Sequence, residues 1–196
     1  TNCEIHLGKL TSFSVTVPLP GLHMVQNALA GACIGQLLGL TAEEIKDGIE
    51  AMKALPGRGQ LLEKNGMTII DDCYNANPAS MKSSLDLLAF ADTRKVAILG
   101  DMGELGADEK QLHYEVGAYA AKKGIDVLCC IGPLSKNMYR GTFDDLDWEG
   151  AALYFASKEE FLSHMPTLVH PGDTVLVKAS HYMGFSEIVE KLSDKI

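Results

Sequence analysis

Residues 67–82 read MTIIDDCYNANPASMK, and this stretch decides the fold. The apolar run Met67–Ile70 predicts a strand, and it ends in two carboxylates, Asp71 and Asp72. A polar loop over 73–77 follows. Pro78 then stands where a helix tolerates proline, at its first position, with Asn77 in the capping position before it. Strand, polar loop and helix start form the unit that open α/β sheets repeat, and ligands bind outside the carboxyl ends of their strands. Paired acids at the end of an apolar strand resist desolvation unless something compensates them. The segment therefore predicts a nucleotide or small-anion site.

Outward from this stretch the chain alternates. Strands are expected over 67–72, 95–100, 126–131, 152–155 and 173–178, with helices over 78–91, 108–123, 134–140, 157–164 and 183–194. This order implies an α/β, Rossmann-like fold: a mostly parallel sheet with right-handed crossovers and helices on both faces. The loops 71–77, 100–106 and 178–184 leave carboxyl ends of strands and should share one rim. The first part of the chain differs, and is expected to be a small strand-plus-helix piece. EIHL and FSVTVPL alternate as a hairpin about Gly8 and Lys9. A helix rich in small residues follows in HMVQNALAGACIGQLLGL, with Val25, Ala28, Ala32 and Leu37 as packing positions. Thr41, with Glu44 at the capping-box position, opens a second helix through Ile45, Ile49 and Met52. Leu55–Gly59 contains one Pro and two Gly and interrupts both patterns, which sets expected domains of 1–58 and 59–196.

Composition narrows the function classes. A net charge of −9 over 196 residues argues against general nucleic-acid binding, which requires clustered Lys and Arg. No apolar run approaches the length of about 18 residues that would insert in a membrane. The N-terminus is not a signal peptide, and the absence of an initiating Met leads to the expectation of a piece of a longer protein. Five cysteines, Cys3, Cys33, Cys73, Cys129 and Cys130, show no CxxC spacing and fit a reducing cytoplasm, with Cys33, Cys129 and Cys130 as small core residues. Zinc-ligand spacings are absent, as are GxSxG and GxxxxGK[ST], the last being the loop that cradles ATP phosphates.

Several residues have two readings each. Asp72 can accept ribose hydroxyls or cap backbone amides. Asn77 is a helix cap or a ligand group, and Tyr74 and Asn75 are loop polar groups available to a ligand. Arg58, flanked by glycines, can reach phosphate with its guanidinium or remain a solvated charge. Asn27, in an otherwise small and apolar helix, would need partners if buried, either a nucleobase edge or the backbone. Asp101 and Glu104 can orient a substrate ammonium or pin their loop. Lys178, Ser180 and His181 can hold a carboxylate or form a solvated rim. His113 and His164 read as helix-surface residues.

Four segments occur together in the order found in Mur ligases: GLHMVQNALAG (21–31), LPGR (55–58), DDCYNANPASM (71–81) and LGDMGELG (99–106). The chain resembles that family from about residue 13 onward, and VKASHYMGFSEIV (177–189) is similar to its closing strand-loop-helix. The resemblance implies that 1–58 is the end of a central ATP-binding domain and 59–196 a C-terminal domain. It implies ATP-dependent amide formation through an acyl phosphate, adding D-alanyl-D-alanine to UDP-N-acetylmuramoyl-tripeptide in peptidoglycan precursor synthesis. ATP and Mg2+ would be held chiefly by parts of the enzyme outside this chain, which alone would be inactive. By the same resemblance Asn27 meets adenine, Arg58 phosphate and Asp72 ribose. Tyr74 and Asn75 face ATP, while Asn77, Asp101, Lys178, Ser180 and His181 lie on the substrate side. Two positions depart from the family pattern: Met24, where Asn is usual, and His181, where Arg is usual. A His there makes a carboxylate contact pH-dependent. A cytoplasmic monomer without metal ligands of its own is expected. The alternatives are another ligase of the same fold, such as folylpolyglutamate synthase or a different Mur ligase, and a non-catalytic nucleotide-binding module.

Overall fold

The apolar runs of the second half build one sheet whose inner neighbours are all parallel. The computed structural model describes residues 1–8 and 11–194 and falls into two units, Thr1–Ala54 and Leu55–Ile196. Lys9, which the sequence places in the first turn, lies outside the described residues.

In the first unit, β1 (Asn2–Leu7) pairs antiparallel with β2 (Thr11–Thr16), Ile5 standing opposite Phe13. Ile5, Leu7, Val15 and Val17 are buried with Ala28 and Ala32 of α1 (Leu22–Leu37) and Ile45 and Ile49 of α2 (Ala42–Glu50). Thr41 caps α2 reciprocally: its hydroxyl accepts from the Glu44 amide at 3.2 Å, and the Glu44 carboxylate accepts from the Thr41 amide at 2.8 Å. Helix α1 buries only its smallest residues, Ala28, Ala32 and Gly35. Two expectations fail for that reason. Leu37 is 86% exposed, and Cys33 is exposed rather than part of the core.

The second unit holds β3 (Gln60–Lys64), β4 (Met67–Asp71), β5 (Lys95–Gly100), β6 (Val127–Ile131), β7 (Ala151–Phe155) and β8 (Thr174–Lys178). Their order is β3-β4-β8-β5-β6-β7, and only the β3–β4 pair is antiparallel. Strand β3, QLLEK, is not among the expected strands; its charged residues suit an exposed edge. Alternate residues feed two cores, as a sheet covered on both faces requires. Ile69, Val96, Ile98, Cys129, Val175 and Val177 pack with Phe161 and Met165 of α6 (Lys158–Leu168) and Ile188 and Leu192 of α7 (Ser186–Ser193). Ile70, Ala97, Leu99, Leu128, Cys130 and Leu176 pack with Met81 and Leu85 of α3 (Pro78–Ala89), Val116 and Ala120 of α4 (Glu109–Lys122) and Met138 of α5 (Lys136–Gly141). Each of the Val, Ile, Leu, Met and Phe side chains among them contributes about 1.5–3 kcal/mol on burial. Helices α4 and α5 approach through Gly117, where a Cβ would lie 1.8 Å from the Met138 carbonyl oxygen.

The topology has a functional consequence. Strand β8 lies between β4 and β5, parallel to both. The three loops that leave these strands are therefore neighbours on one rim.

Candidate functional site

The two acids at the end of β4 do different work. Asp71 is buried, and its carboxylate accepts from the Gly57 amide at 2.9 Å and the Cys73 amide at 3.4 Å. It pins the 56–58 turn beside β4, and the Tyr74 amide returns a bond to the Gly57 carbonyl at 3.0 Å. Asp72 lies one residue on and is 18% exposed at its side chain. Its Oδ2 accepts from Lys178 Nζ at 2.6 Å and from the Ser84 hydroxyl at 2.6 Å. The Lys178 ammonium also donates to the Asn75 carbonyl at 3.0 Å, so this buried cation ties the end of β8 to the 72–75 loop. Among the described residues, Asp72 Oδ1 carries no hydrogen bond. The carboxylate is thus held at one oxygen and open at the other, which suits an acceptor for hydroxyls.

The loop after β5 is built on a similar buried acid. Asp101 Oδ1 accepts from the Ser135 amide at 2.7 Å and the Ser135 hydroxyl at 2.6 Å, and Oδ2 accepts from the Leu134 amide at 3.3 Å. The carboxylate abuts Gly132, whose φ is 110° and where a Cβ would come within 2.7 Å of it, so that site requires glycine. Beyond Asp101 the Met102 amide donates to His113 Nε2 at 2.9 Å and the Gly103 amide to Ser180 Oγ at 2.8 Å. His113 is fully buried, contrary to its expected place on a helix surface. Loop 101–103 folds over it, and its Nδ1 faces the Glu109 carbonyl oxygen at 2.6 Å. Its Nε2 is therefore the accepting nitrogen.

At the β4 end the rim carries an exposed stack. The Arg58 guanidinium lies 4.0 Å from the centre of the Tyr74 ring, and Tyr74 meets His181 at 5.2 Å between ring centres. Tyr74 and His181 border a cavity of about 370 Å³ lined also by Gly57, Asp71, Cys73 and Phe185. Burial pushes the Cys73 thiol up to about 12, and a hydrogen bond with Asp71 adds to the shift. The thiol stays protonated at neutral pH and is no nucleophile.

Of the residues singled out in the sequence, Arg58, Asp72, Tyr74, Asn75, Lys178, Ser180 and His181 come together in this unit. Asn77 caps α3, its side chain accepting from the Ser80 amide at 2.9 Å, with Ser80 Oγ accepting in return. Asp101 and Ser180 are buried and hold loops. Asn27 belongs to the first unit and is exposed; the buried amide considered for it is not found, and Nδ2 lies 3.9 Å from Met24 Sδ. Sequence reading missed Ser84, Ser135 and His113. Ser84 carried a signal, at helical spacing with Met81, Leu85 and Leu88 on α3, and so did His113, which shares a face of α4 with Val116, Gly117 and Ala120. Among the described residues no group of three or more His, Cys, Asp or Glu side chains could hold a metal ion.

The description "Mur ligase, glutamate ligase domain" matches residues 57–181. The chain belongs to the Mur ligase family. It is 35% identical over 188 residues to the UDP-N-acetylmuramoyl-tripeptide--D-alanyl-D-alanine ligase of Escherichia coli (strain K12), covering 93% of this chain and 40% of that protein. The ligase of the same name from Treponema pallidum (strain Nichols) is 36% identical over 178 residues, covering 89% of this chain and 38% of its own. The crystal structure of MurF from Acinetobacter baumannii is similar with a TM-score of 0.88 at 29% identity, over 99% of this chain and 42% of that one. MurF from Thermotoga maritima in complex with ADP gives a TM-score of 0.76 at 26% identity, over 93% and 40% of the respective chains. This Mur ligase chain spans about 40% of the length of the first curated relative. The Rossmann-like reading of the sequence holds: the six-stranded sheet has helices on both faces and is parallel except at β3.

Proposed function

We propose that this chain is the part of an ATP-dependent ligase that positions nucleotide and amine substrates. The reaction is the addition of D-alanyl-D-alanine to UDP-N-acetylmuramoyl-tripeptide in peptidoglycan precursor synthesis. The observation that carries this reading is the Asp72 carboxylate, fixed at one oxygen by Lys178 and Ser84 and open at the other, on the rim of β4, β8 and β5. The names of the relatives supply the reaction. Residues 1–58 are read as the end of the central ATP-binding domain and 59–196 as the C-terminal domain.

In this reading the tripeptide carboxylate attacks the γ-phosphate of ATP, releasing ADP and leaving an acyl phosphate. The dipeptide amine then attacks the acyl carbon and phosphate departs, with loss of a proton from nitrogen. The chain contributes orientation, which lowers the barrier without covalent participation. Asp72 receives the ribose, and Arg58, backed by Tyr74, meets phosphate as a charge-assisted donor. Asn75 lines the nucleotide side, and Asn27 is the adenine contact proposed for the first unit. Asn77 and His181 lie toward the dipeptide. Asp101, Lys178 and Ser180 act by holding the loops, since their polar atoms already have partners. Magnesium is expected on residues outside this chain. A cytoplasmic monomer belongs to the same reading; among the described residues no helix is long and apolar enough to cross a membrane.

The test is stoichiometric. The whole protein, given ATP, the UDP-linked tripeptide and D-alanyl-D-alanine, should form ADP, phosphate and ligated product in equal amounts, and the 196-residue chain alone should form none. Product formation by this chain alone, or no dipeptide-dependent product from the whole protein, contradicts the reading.

A further inference from the structure

Glu104 is an exposed acid of the rim for which the described residues supply no hydrogen-bond or ion-pair partner. It follows an arch clamped at two successive amides, Met102 N–H on His113 Nε2 at 2.9 Å and Gly103 N–H on Ser180 Oγ at 2.8 Å. The Ser180 amide donates back to the Asp101 carbonyl at 3.0 Å. A Cβ at Gly103 would lie 2.9 Å from the Tyr182 ring, so the arch is also packed. Immediately beyond it Glu104 takes φ of 61°, a conformation that glycine adopts freely and a glutamate rarely does. The side chain is exposed, and among the described residues its carboxylate makes no hydrogen bond or ion pair. An outlier of this kind on a rigid support, offering an unpaired charge at a rim, is a sign of use.

The surrounding charges say what the use is. Asp101 is buried and fully engaged, so it cannot meet a ligand cation without losing its loop. Lys178 is committed to Asp72 and Asn75. The exposed cation of the rim that the site uses, Arg58, stacks on Tyr74 at the β4 end. Strands β4 and β5 flank β8, which puts the two ends about 10 Å apart. One end therefore suits anionic groups and the other a cation. A lone carboxylate suits a primary ammonium, with one charge and three donors, whereas a divalent ion needs several oxygen ligands, and no metal-competent cluster exists among the described residues.

The geometry points to Glu104 as the residue that recognises the ammonium of the incoming amino-acid substrate, which on the reading above is the amino terminus of D-alanyl-D-alanine. His113 and Ser180 are its positioning residues. This inference rests on the proposed ligase reading and extends it to substrate selection.

The experiment uses the whole protein and three measurements: KM for the dipeptide, KM for ATP, and inhibition by D-lactoyl-D-alanine, which carries hydroxyl in place of the amine. Glu104→Gln should raise KM for the dipeptide about tenfold or more, the cost of losing one charge-assisted contact, and leave KM for ATP within about twofold. Inhibition by the hydroxyl analogue should not change, because it offers no ammonium. Glu104→Gly, which removes the backbone strain as well, should show the same loss of dipeptide affinity in a protein at least as heat-stable. His113→Gln, whose amide oxygen can still accept from Met102, should preserve dipeptide KM where His113→Phe does not. If the wild-type protein ligates the dipeptide and both Glu104 variants keep its KM within about twofold, the inference is overturned and the ligase reading survives. A parallel rise in both KM values also overturns it, since that marks a structural role. If the wild-type protein does not ligate the dipeptide, the reading fails first and takes this inference with it.

Discussion

The loops after β4 and β5 solve one problem twice. Each begins with an acid that the fold buries, Asp71 at 7% exposure and Asp101 at 2%, and each continues to an acid nearer solvent, Asp72 and Glu104. The inner acids accept backbone amides and fix the loop. The outer ones are presented by it. The loops differ in how the outer acid is prepared. Asp72 is adjacent to its pin and is set by side chains, Lys178 and Ser84, while Glu104 is three residues from its pin and is set through main-chain bonds to His113 and Ser180. Two neighbouring acids in the sequence therefore need not share a role, and separation from the strand end decides whether a side chain or the backbone does the positioning.

The comparison breaks most sharply at the inner acids. Asp101→Ala leaves the Ser135 amide and hydroxyl and the Leu134 amide without their acceptor, and should destabilise the chain by about 3–5 kcal/mol in urea unfolding. Lys178→Met keeps the bulk but strands the partly buried Asp72 carboxylate. It should cost about 2–3 kcal/mol, less than a fully buried pair because water reaches Asp72. Ser84→Ala removes a single hydrogen bond from the same carboxylate and should cost about 1 kcal/mol, which sharpens the claim that Lys178 is the main support.

A smaller effect concerns the thiols under the rim. Burial pushes Cys73 and Cys129 up to about 12. A raised thiol pKa means the folded state favours the neutral form, so this stabilisation is complete below about pH 9 and is lost as pH climbs toward 12. Thermal unfolding should therefore shift to lower temperature above pH 9, and alkylation of the native protein at pH 8 should label the exposed Cys33 ahead of Cys73, Cys129 and Cys130. Labelling of Cys73 at the rate of Cys33 would refute the buried, protonated thiol.

The main sheet was legible because its buried strands are short apolar runs bounded by turn residues and followed by helices, as 95–100 and 127–131 illustrate. The shared rim followed from topology alone. Strand β3 was hidden because its energetics are those of an edge, where QLLEK can leave charge in solvent while its backbone pairs with β4. His113 was hidden by its residue type: it shares the i, i+3, i+4, i+7 face of α4 with Val116, Gly117 and Ala120, but an imidazole reads as surface until the Met102 amide is seen to bond it. Leu37 and Cys33 were misplaced for the opposite reason: α1 is apolar around much of its circumference, so periodicity could not name the buried face. At the site, residue types were readable and commitments were not. Lys178 read as a group for a ligand carboxylate, and only the register of β8 against β4 brings it to Asp72.

The central claim is that Asp72 is held at one oxygen so that the other can receive the nucleotide. The direct test is Asp72→Asn in the whole protein, which keeps an acceptor for Lys178 and Ser84, with affinities for ATP and for D-alanyl-D-alanine measured separately. The account predicts that ATP binding weakens about tenfold, as loss of one charge-assisted acceptor implies, while dipeptide binding stays within about twofold. Unchanged ATP binding together with a loss confined to the dipeptide would contradict it.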